Sequence, residues 1–228
     1  MLALDTSTPR ITAGVVALRR PHEVIETLAA GGAAAPLTVL AEHTADDPFA
    51  HAELLMPLAS AALAEVDRRP ADLDAVVVGL GPGPFTGLRV GIVTAAALGD
   101  GLGVPVCGVP SHDALAAALD TERSFLIVTD ARRREVYVSG YAGRVRVRGP
   151  EVLPPADLTT EAGAVAGAGA ALVADLDLET LEPAKPLSAG LVSAAAPALL
   201  TGAVPGPLTP LYLRRPDAVP PRPRAALR

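Results

Sequence analysis

The chain has 228 residues, half of them hydrophobic, with 3% aromatics, no Trp and a formal net charge of −6. That length suits one large domain or two small ones, and the core must be packed with Ala, Val and Leu rather than with rings. The acidic balance excludes a broad phosphate-gripping face, so any RNA would have to be held by a partner. A single cysteine, Cys107, excludes an internal disulfide. Its apolar setting reads as a small buried residue, because a nucleophile would want a nearby base. No uninterrupted apolar run reaches about 18 residues, so no spanning helix is expected. The opening MLALDTST has neither the basic start nor the long apolar stretch of a signal peptide, and a cytoplasmic protein is expected.

Residues 2–7 predict a strand, 8–10 a turn and 11–18 a second strand. Residues 24–28 and 38–43 are further strand candidates, the first the weaker. Residues 51–66 place Leu55, Leu58, Ala62 and Val66 on one helix face, and Pro57 inside predicts a kink or a later start. A buried strand over 75–78, a helix over 86–102 and a strand over 104–109 follow. Ser111 is placed to cap a helix over 112–119. Residues 125–130 and 136–141 form a strand pair around a polar turn of Arg132, Arg133, Arg134 and Glu135, and 144–147 adds a charged strand. A strand near 164–167, a helix over 189–200 distorted by Pro197, and a frayed, proline-rich basic tail complete the chain.

One pattern occurs twice. An apolar strand ends in Asp, five residues follow, and an apolar residue restarts the chain, from Asp5 to Ile11 and from Asp130 to Val136. With the element order, this predicts a mixed sheet flanked by helices and used twice, the ribonuclease-H-like lobe pair of the actin-like (ASKHA) α/β architecture. The expected divisions are an N-terminal lobe over 1–103, a smaller C-terminal lobe over 104–210 and a tail over 211–228.

The segment GLGPGPFTGLRVG, residues 79–91, has the outline of a phosphate loop but not its chemistry. A P-loop needs Gly-Lys-Ser/Thr, and no lysine precedes Lys185. A dinucleotide fingerprint fails because Pro84 or Thr86 stands at its third glycine. Pro82 and Pro84 lack amide hydrogens, and Gly81 and Gly83 read as structural residues that permit positive φ in a sharp strand-to-helix turn. Gly87, Gly91, Ala95 and Gly99 then recur every fourth residue. Each helix-interior glycine costs roughly 1 kcal/mol relative to alanine, so the stripe serves a close backbone approach. Two readings are open: packing on the protein's own sheet, or helix-to-helix contact across a subunit interface.

The blocks LALDTST, HAELLMPL, AVVVGLGPGPFTGLRVGIVTAAALG, VPVCGVPS, DARRREVY and PLYLRRPDA resemble, in that order, the bacterial TsaB (YeaZ) family over essentially the whole chain. The resemblance implies an actin-like fold and a non-catalytic scaffold in the machinery that installs threonylcarbamoyl on adenosine 37 of ANN-decoding tRNAs. It implies pairing with the catalytic relative TsaD and the ATPase TsaE, homodimers when alone, and tRNA contact only through the complex. No tightly bound cofactor is implied, with ATP or ADP confined to the interface with the catalytic partner.

The partner interface would run over the N-terminal helices at His51, Leu54, Leu55, Leu58, Phe85, Thr86, Gly87, Arg89, Val90, Gly91, Thr94 and Ala95. Arg89, in the first helical turn, would meet a partner carboxylate or carbonyl. Asp5, Thr6 and Ser7 occupy the phosphate-loop position of the actin group without its glycine, so Asp5 either served a nucleotide or caps its own turn. Gly167-Ala168-Gly169-Ala170 lies where a second nucleotide contact would be sought. The relative's His-x-x-x-His metal pair falls on Ser111 and Leu115, with His112 one place out of register, so neither a metal site nor a catalytic residue is expected. Arg132, Arg133 and Arg134 read as a solvated hairpin tip or as a tRNA contact. An ATP-dependent small-molecule kinase is the alternative. A metalloprotease is not supported, since His22, His43, His51 and His112 include no pair at ligand spacing.

Overall fold

In the computed structural model, which describes residues 1–183 and 187–214, the chain opens on the expected hairpin. Strand β1 (Leu2–Asp5) pairs antiparallel with β2 (Arg10–Leu18), which pairs with β3 (Leu37–Asp46). Between β2 and β3 lies helix α1 (Pro21–Ala29), where a weak strand was expected. Pro21 presets the first turn and the Glu23 carboxylate accepts the Arg20 amide at 2.8 Å, a start signal that outweighs the β-branched pair Val24-Ile25.

Helix α2 (His51–Glu65) runs on through Pro57 with neither a late start nor a break. The proline is exposed, so its ring points away from the sheet. Strands β4 (Val76–Gly79) and β5 (Val106–Val109) add in parallel beside β1, with helix α3 (Phe85–Leu102) as their crossover. The first sheet therefore reads β3-β2-β1-β4-β5.

After helix α4 (Ser111–Ala118) the pattern recurs. Strands β6 (Ser124–Asp130), β7 (Val136–Ala142), β8 (Val145–Leu153), β9 (Ala164–Ala166) and β10 (Glu179–Thr180) form a second sheet in the order β10-β9-β6-β7-β8. The antiparallel and parallel pairings match the first sheet one for one, so the duplicated hairpin opens two copies of one topology.

Strand alternation sorts the first sheet's faces. Leu2, Leu4, Val76 and Val78 pack under α2 and α3, while Ala3, Val77 and Cys107 pack under α4 and the last helix, α5 (Leu187–Thr201). Cys107 is buried there, and desolvation holds its thiol above the ordinary range. The lobes therefore do not divide at residue 103. β5 belongs to the first sheet, and α5 returns from beyond the second sheet to cover it. Gly190 admits this helix: a Cβ there would overlap the Ala114 carbonyl of α4.

A tripeptide at the start of α4 joins the lobes. Ser111, expected as a cap, instead donates to Asp5 Oδ2 at 2.6 Å, and Pro110 holds the N-cap position. His112 is buried, its Nδ1 2.8 Å from Ser139 Oγ and its Nε2 3.0 Å from Thr129 Oγ1, both on the second sheet. Asp113 accepts the Tyr141 hydroxyl at 2.7 Å and pairs with Arg146 at 3.2 Å. Burial, with the Arg146 charge as a smaller cause, drops the His112 pKa to about 3, so the ring is neutral, one nitrogen donating and the other accepting.

Candidate docking site

The glycine loop is held by its own chain. The Leu80 amide donates to Val109 O at 2.8 Å, the Gly81 amide to Ser111 Oγ at 3.1 Å, and the Ser111 amide to Gly81 O at 2.7 Å. With Pro82 and Pro84 lacking N–H groups and the Leu80 and Gly81 amides engaged, the loop has fewer donors to offer a phosphate than an anion nest. Gly81 takes φ +94, as expected. Gly83 does not have positive φ; it is glycine because a Cβ would overlap the Ser7 carbonyl.

Asp5, Thr6 and Ser7 are all buried against this loop. The Asp5 carboxylate accepts the Ser7 amide at 2.8 Å and the Ser7 hydroxyl at 2.6 Å on Oδ1, with Ser111 on Oδ2. Desolvation raises its pKa against these hydrogen bonds. A Cβ on Gly79 would fall inside the carboxylate. Asp5 thus caps its own turn, and both of its oxygens are already engaged.

The small-residue stripe of α3 faces inward, which corrects its assignment to a partner interface. Thr6 Oγ1 donates to Gly87 O at 2.8 Å and accepts the Gly91 amide at 3.2 Å. A Cβ on Gly87 would lie 2.7 Å from Thr6 O, one on Gly91 would overlap Thr6 Oγ1, and one on Gly99 would overlap the Val106 side chain. Ala95 is fully buried. Two residues of α2 move inward with them: Leu55 is 1% exposed, and His51 puts Nε2 2.9 Å from the Thr8 carbonyl.

What remains on the surface is the opposite side of α3. Phe85, Thr86, Arg89, Val93, Ala97 and Asp100 are exposed, with Val90 and Thr94 half-buried beside them and Leu54 and Leu58 of α2 half-buried nearby. At 100° per residue these α3 positions fall within one arc. Val93, at 65% exposure, is its most exposed large apolar residue.

Arg89 does not reach outward alone. Its Nε donates to the Tyr212 hydroxyl at 3.0 Å, and its guanidinium lies 3.8 Å from the centre of the Phe85 ring, which packs on Tyr212 with centroids 4.6 Å apart. Tyr212 belongs to a strap over 208–214, which overlaps the PLYLRRPDA block and to which the sequence patterns gave no structural role. Leu208 and Leu211 pack into the core beneath α2 and α3, and the Leu211 amide donates to Leu80 O at 2.8 Å. Arg214 then crosses to the second lobe, donating to Ala131 O at 2.8 Å and pairing with Glu135 at 3.1 Å. The basic tail beyond it lies outside the described residues.

Phe49, Phe85, Tyr137 and Tyr212 line a cavity of about 440 Å³ beside the first turn of α3. Arg132 also lines it, from a turn in which Arg132, Arg133 and Arg134 all have positive φ, at +61, +53 and +63. A second cavity, about 500 Å³, opens between the lobes near Ser7, Thr129, Gly167 and Ala168. Among the described residues no three His, Cys, Asp or Glu side chains converge as a metal site. Ser111 is spent on Asp5, and Leu115 packs against the second-lobe core. No described helix is long and apolar enough to cross a membrane.

A sequence profile of the TsaD family, described as tRNA N6-adenosine threonylcarbamoyltransferase, matches residues 38–163, more than half the chain. An uncharacterized protein of Mycobacterium tuberculosis is 49% identical over 96% of this chain and 94% of its own. The tRNA threonylcarbamoyladenosine biosynthesis protein TsaB of Bacillus subtilis is 34% identical over 62% of this chain and 54% of its own. The solved structure of YeaZ from Pseudomonas aeruginosa superposes with TM-score 0.70 at 25% identity, covering 93% of this chain and 98% of that one. The chain belongs to the TsaB (YeaZ) family. Within that family frame, the glycine loop and Asp5 form a closed knot, and the free surface is the outer side of α3 with its strap.

Proposed function

We propose that this chain is a docking subunit in the biosynthesis of threonylcarbamoyladenosine at position 37 of ANN-decoding tRNAs, and that it is not itself the transferase. It pairs through the outer side of α3 with the paralogous catalytic subunit TsaD, is joined by the ATPase TsaE, and self-associates through the same face when alone. tRNA is met only through the complex, in the cytoplasm, and ATP or ADP is met only at the partner interface.

One observation carries this reading: α3 is spent inward by its glycines and still keeps an apolar, small-residue outer stripe around Val93. Charge placement supports a like helix as its neighbour. Arg89 sits just past the first turn and Asp100 in the last, each towards the end of α3 whose dipole disfavours it. An antiparallel helix of the same kind brings opposite dipole ends to both. The kinase alternative is not favoured, because Asp5 is locked by Ser7 and Ser111 and the Leu80 and Gly81 amides are occupied.

The test is co-purification of the full chain with TsaD from the same source, with Val93→Arg as the variant. A charge left unpaired in a buried contact costs several kcal/mol, so affinity should fall about a hundredfold or more while circular dichroism stays unchanged. Pairing unaffected by Val93→Arg, or strong ATP turnover by the isolated chain, would overturn the reading.

A further inference from the structure

The chain has only three Phe, three Tyr and no Trp. Two of these, Phe125 and Tyr141, stack at 5.3 Å in the second-lobe core. The other four line the cavity beside the first turn of α3. Phe49 is 88% exposed there, Phe85 40% and Tyr212 39%. Tyr137 is buried behind them, so three of the chain's six aromatic rings meet at one partly open place, the composition of an interface anchor site rather than of a core.

The charged residues that line the cavity are basic, with Asp130 and Glu135 just behind them. No Asp or Glu is among its described lining residues, although the chain carries a net charge of −6. Arg214 on its rim is already paired with Glu135, and Arg132 has no ion pair among the described residues. The cavity is continuous with the outer side of α3 through Phe85, Thr86 and Val90. The chain's own tail is a poor occupant: beyond residue 214 it carries Arg215, Arg222, Arg224 and Arg228 against one acid, Asp217.

We propose that this aromatic cavity receives an acidic segment of the partner subunit, an apolar side chain entering between Phe49 and Tyr212 while a neighbouring carboxylate meets Arg132. This rests on the docking reading above and adds the chemistry the partner must present. Phe85 and Tyr212 are held in place before binding by Arg89 and by the strap, which lowers the ordering cost of the anchor.

The experiment is titration of purified TsaD against the full chain and three variants, Arg132→Glu, Arg132→Lys and Phe49→Ser, at low and high salt. The expected result is a loss of about tenfold or more for Arg132→Glu, the scale of a charge pair broken at a desolvated contact. Arg132→Lys should retain most of the affinity, Phe49→Ser should weaken binding at both salt concentrations, and the wild-type loss of affinity with salt should reverse in Arg132→Glu, where salt screens a like-charge repulsion. Wild-type affinity in Arg132→Glu and Phe49→Ser, with Val93→Arg still disruptive, would remove this inference and leave the docking reading standing. A wild-type chain that binds no TsaD at all would remove both. If the variants weaken only self-association, the occupant is a second copy and the proposal falls. It also falls if adenine nucleotide stabilises the isolated chain and Arg132→Glu abolishes that effect, since the cavity is then a small-molecule site.

Discussion

Gly91→Leu is expected to unfold the protein rather than to disrupt its assembly. A leucine there enters the space of Thr6 Oγ1, which accepts the Gly91 amide and donates to Gly87 O. Overpacking alone costs about 1–3 kcal/mol, and two hydrogen bonds buried beneath α3 are lost with it. A loss of more than about 3 kcal/mol is a large part of the 5–15 kcal/mol that typically holds a domain together. Chemical denaturation should show a much earlier midpoint, or no folded baseline at all. Gly101, on the same helix, has nothing within 4 Å of a built Cβ, so Gly101→Ala should stabilise by up to about 1 kcal/mol through helix propensity alone. Equal effects at the two glycines would refute the packing account of the stripe.

Mild acid is expected to loosen the joint between the lobes through His112. Its folded pKa, about 3, lies below the ordinary value of 6.5. The unfolded chain therefore takes up the proton first. The stability is fully present above about pH 6.5, declines as pH falls below it, and stops declining only near the folded pKa. One proton taken up by the unfolded state corresponds to about 1.4 kcal/mol per pH unit, so roughly 2 kcal/mol should be lost between pH 6.5 and pH 5. His112→Gln keeps a donor and an acceptor near Ser139 and Thr129 without titrating, and should flatten that part of the curve. Asp5 acts in the opposite sense, since its raised pKa favours proton uptake by the folded state, and it is common to both proteins. An unchanged slope in His112→Gln would mean that another group governs the transition.

Much of this architecture is legible in the sequence because periodicity and turn chemistry act locally. The duplicated Asp-ended hairpins and the glycine-loop crossover follow from spacing, whereas on α2 the spacing found Leu55 and Ala62 but not His51, Ala59 and Leu63, and Leu58 and Val66 are only half-buried. Helix α1 was hidden because Val24 and Ile25 speak for strand, while the deciding Pro21 and Glu23 are single residues at its start. The orientation of the glycine stripe could not be read from α3 alone, since it depends on Thr6, some 80 residues earlier. Arg89 and Tyr212 are 123 residues apart, and no periodic pattern links them. Gly83 shows the same limit in miniature: the residue type was right, but its reason lies in the Ser7 carbonyl rather than in its own backbone angles. The lobe boundary was misplaced because α5 returns to a sheet built mostly by the first half of the chain.

That return bears on synthesis. While the ribosome is still making the second sheet, the first sheet has α2 and α3 on one side, and the other side, with Ala3, Val16, Val77 and Cys107, lacks α5. The second lobe, contiguous from β6 to β10, can close before the first is finished. Chains stalled or cut short of α5 would carry a hydrophobic sheet face covered only by α4 and should be preferred substrates for holdase chaperones and proteases. The last third of the message thus decides the fate of the first.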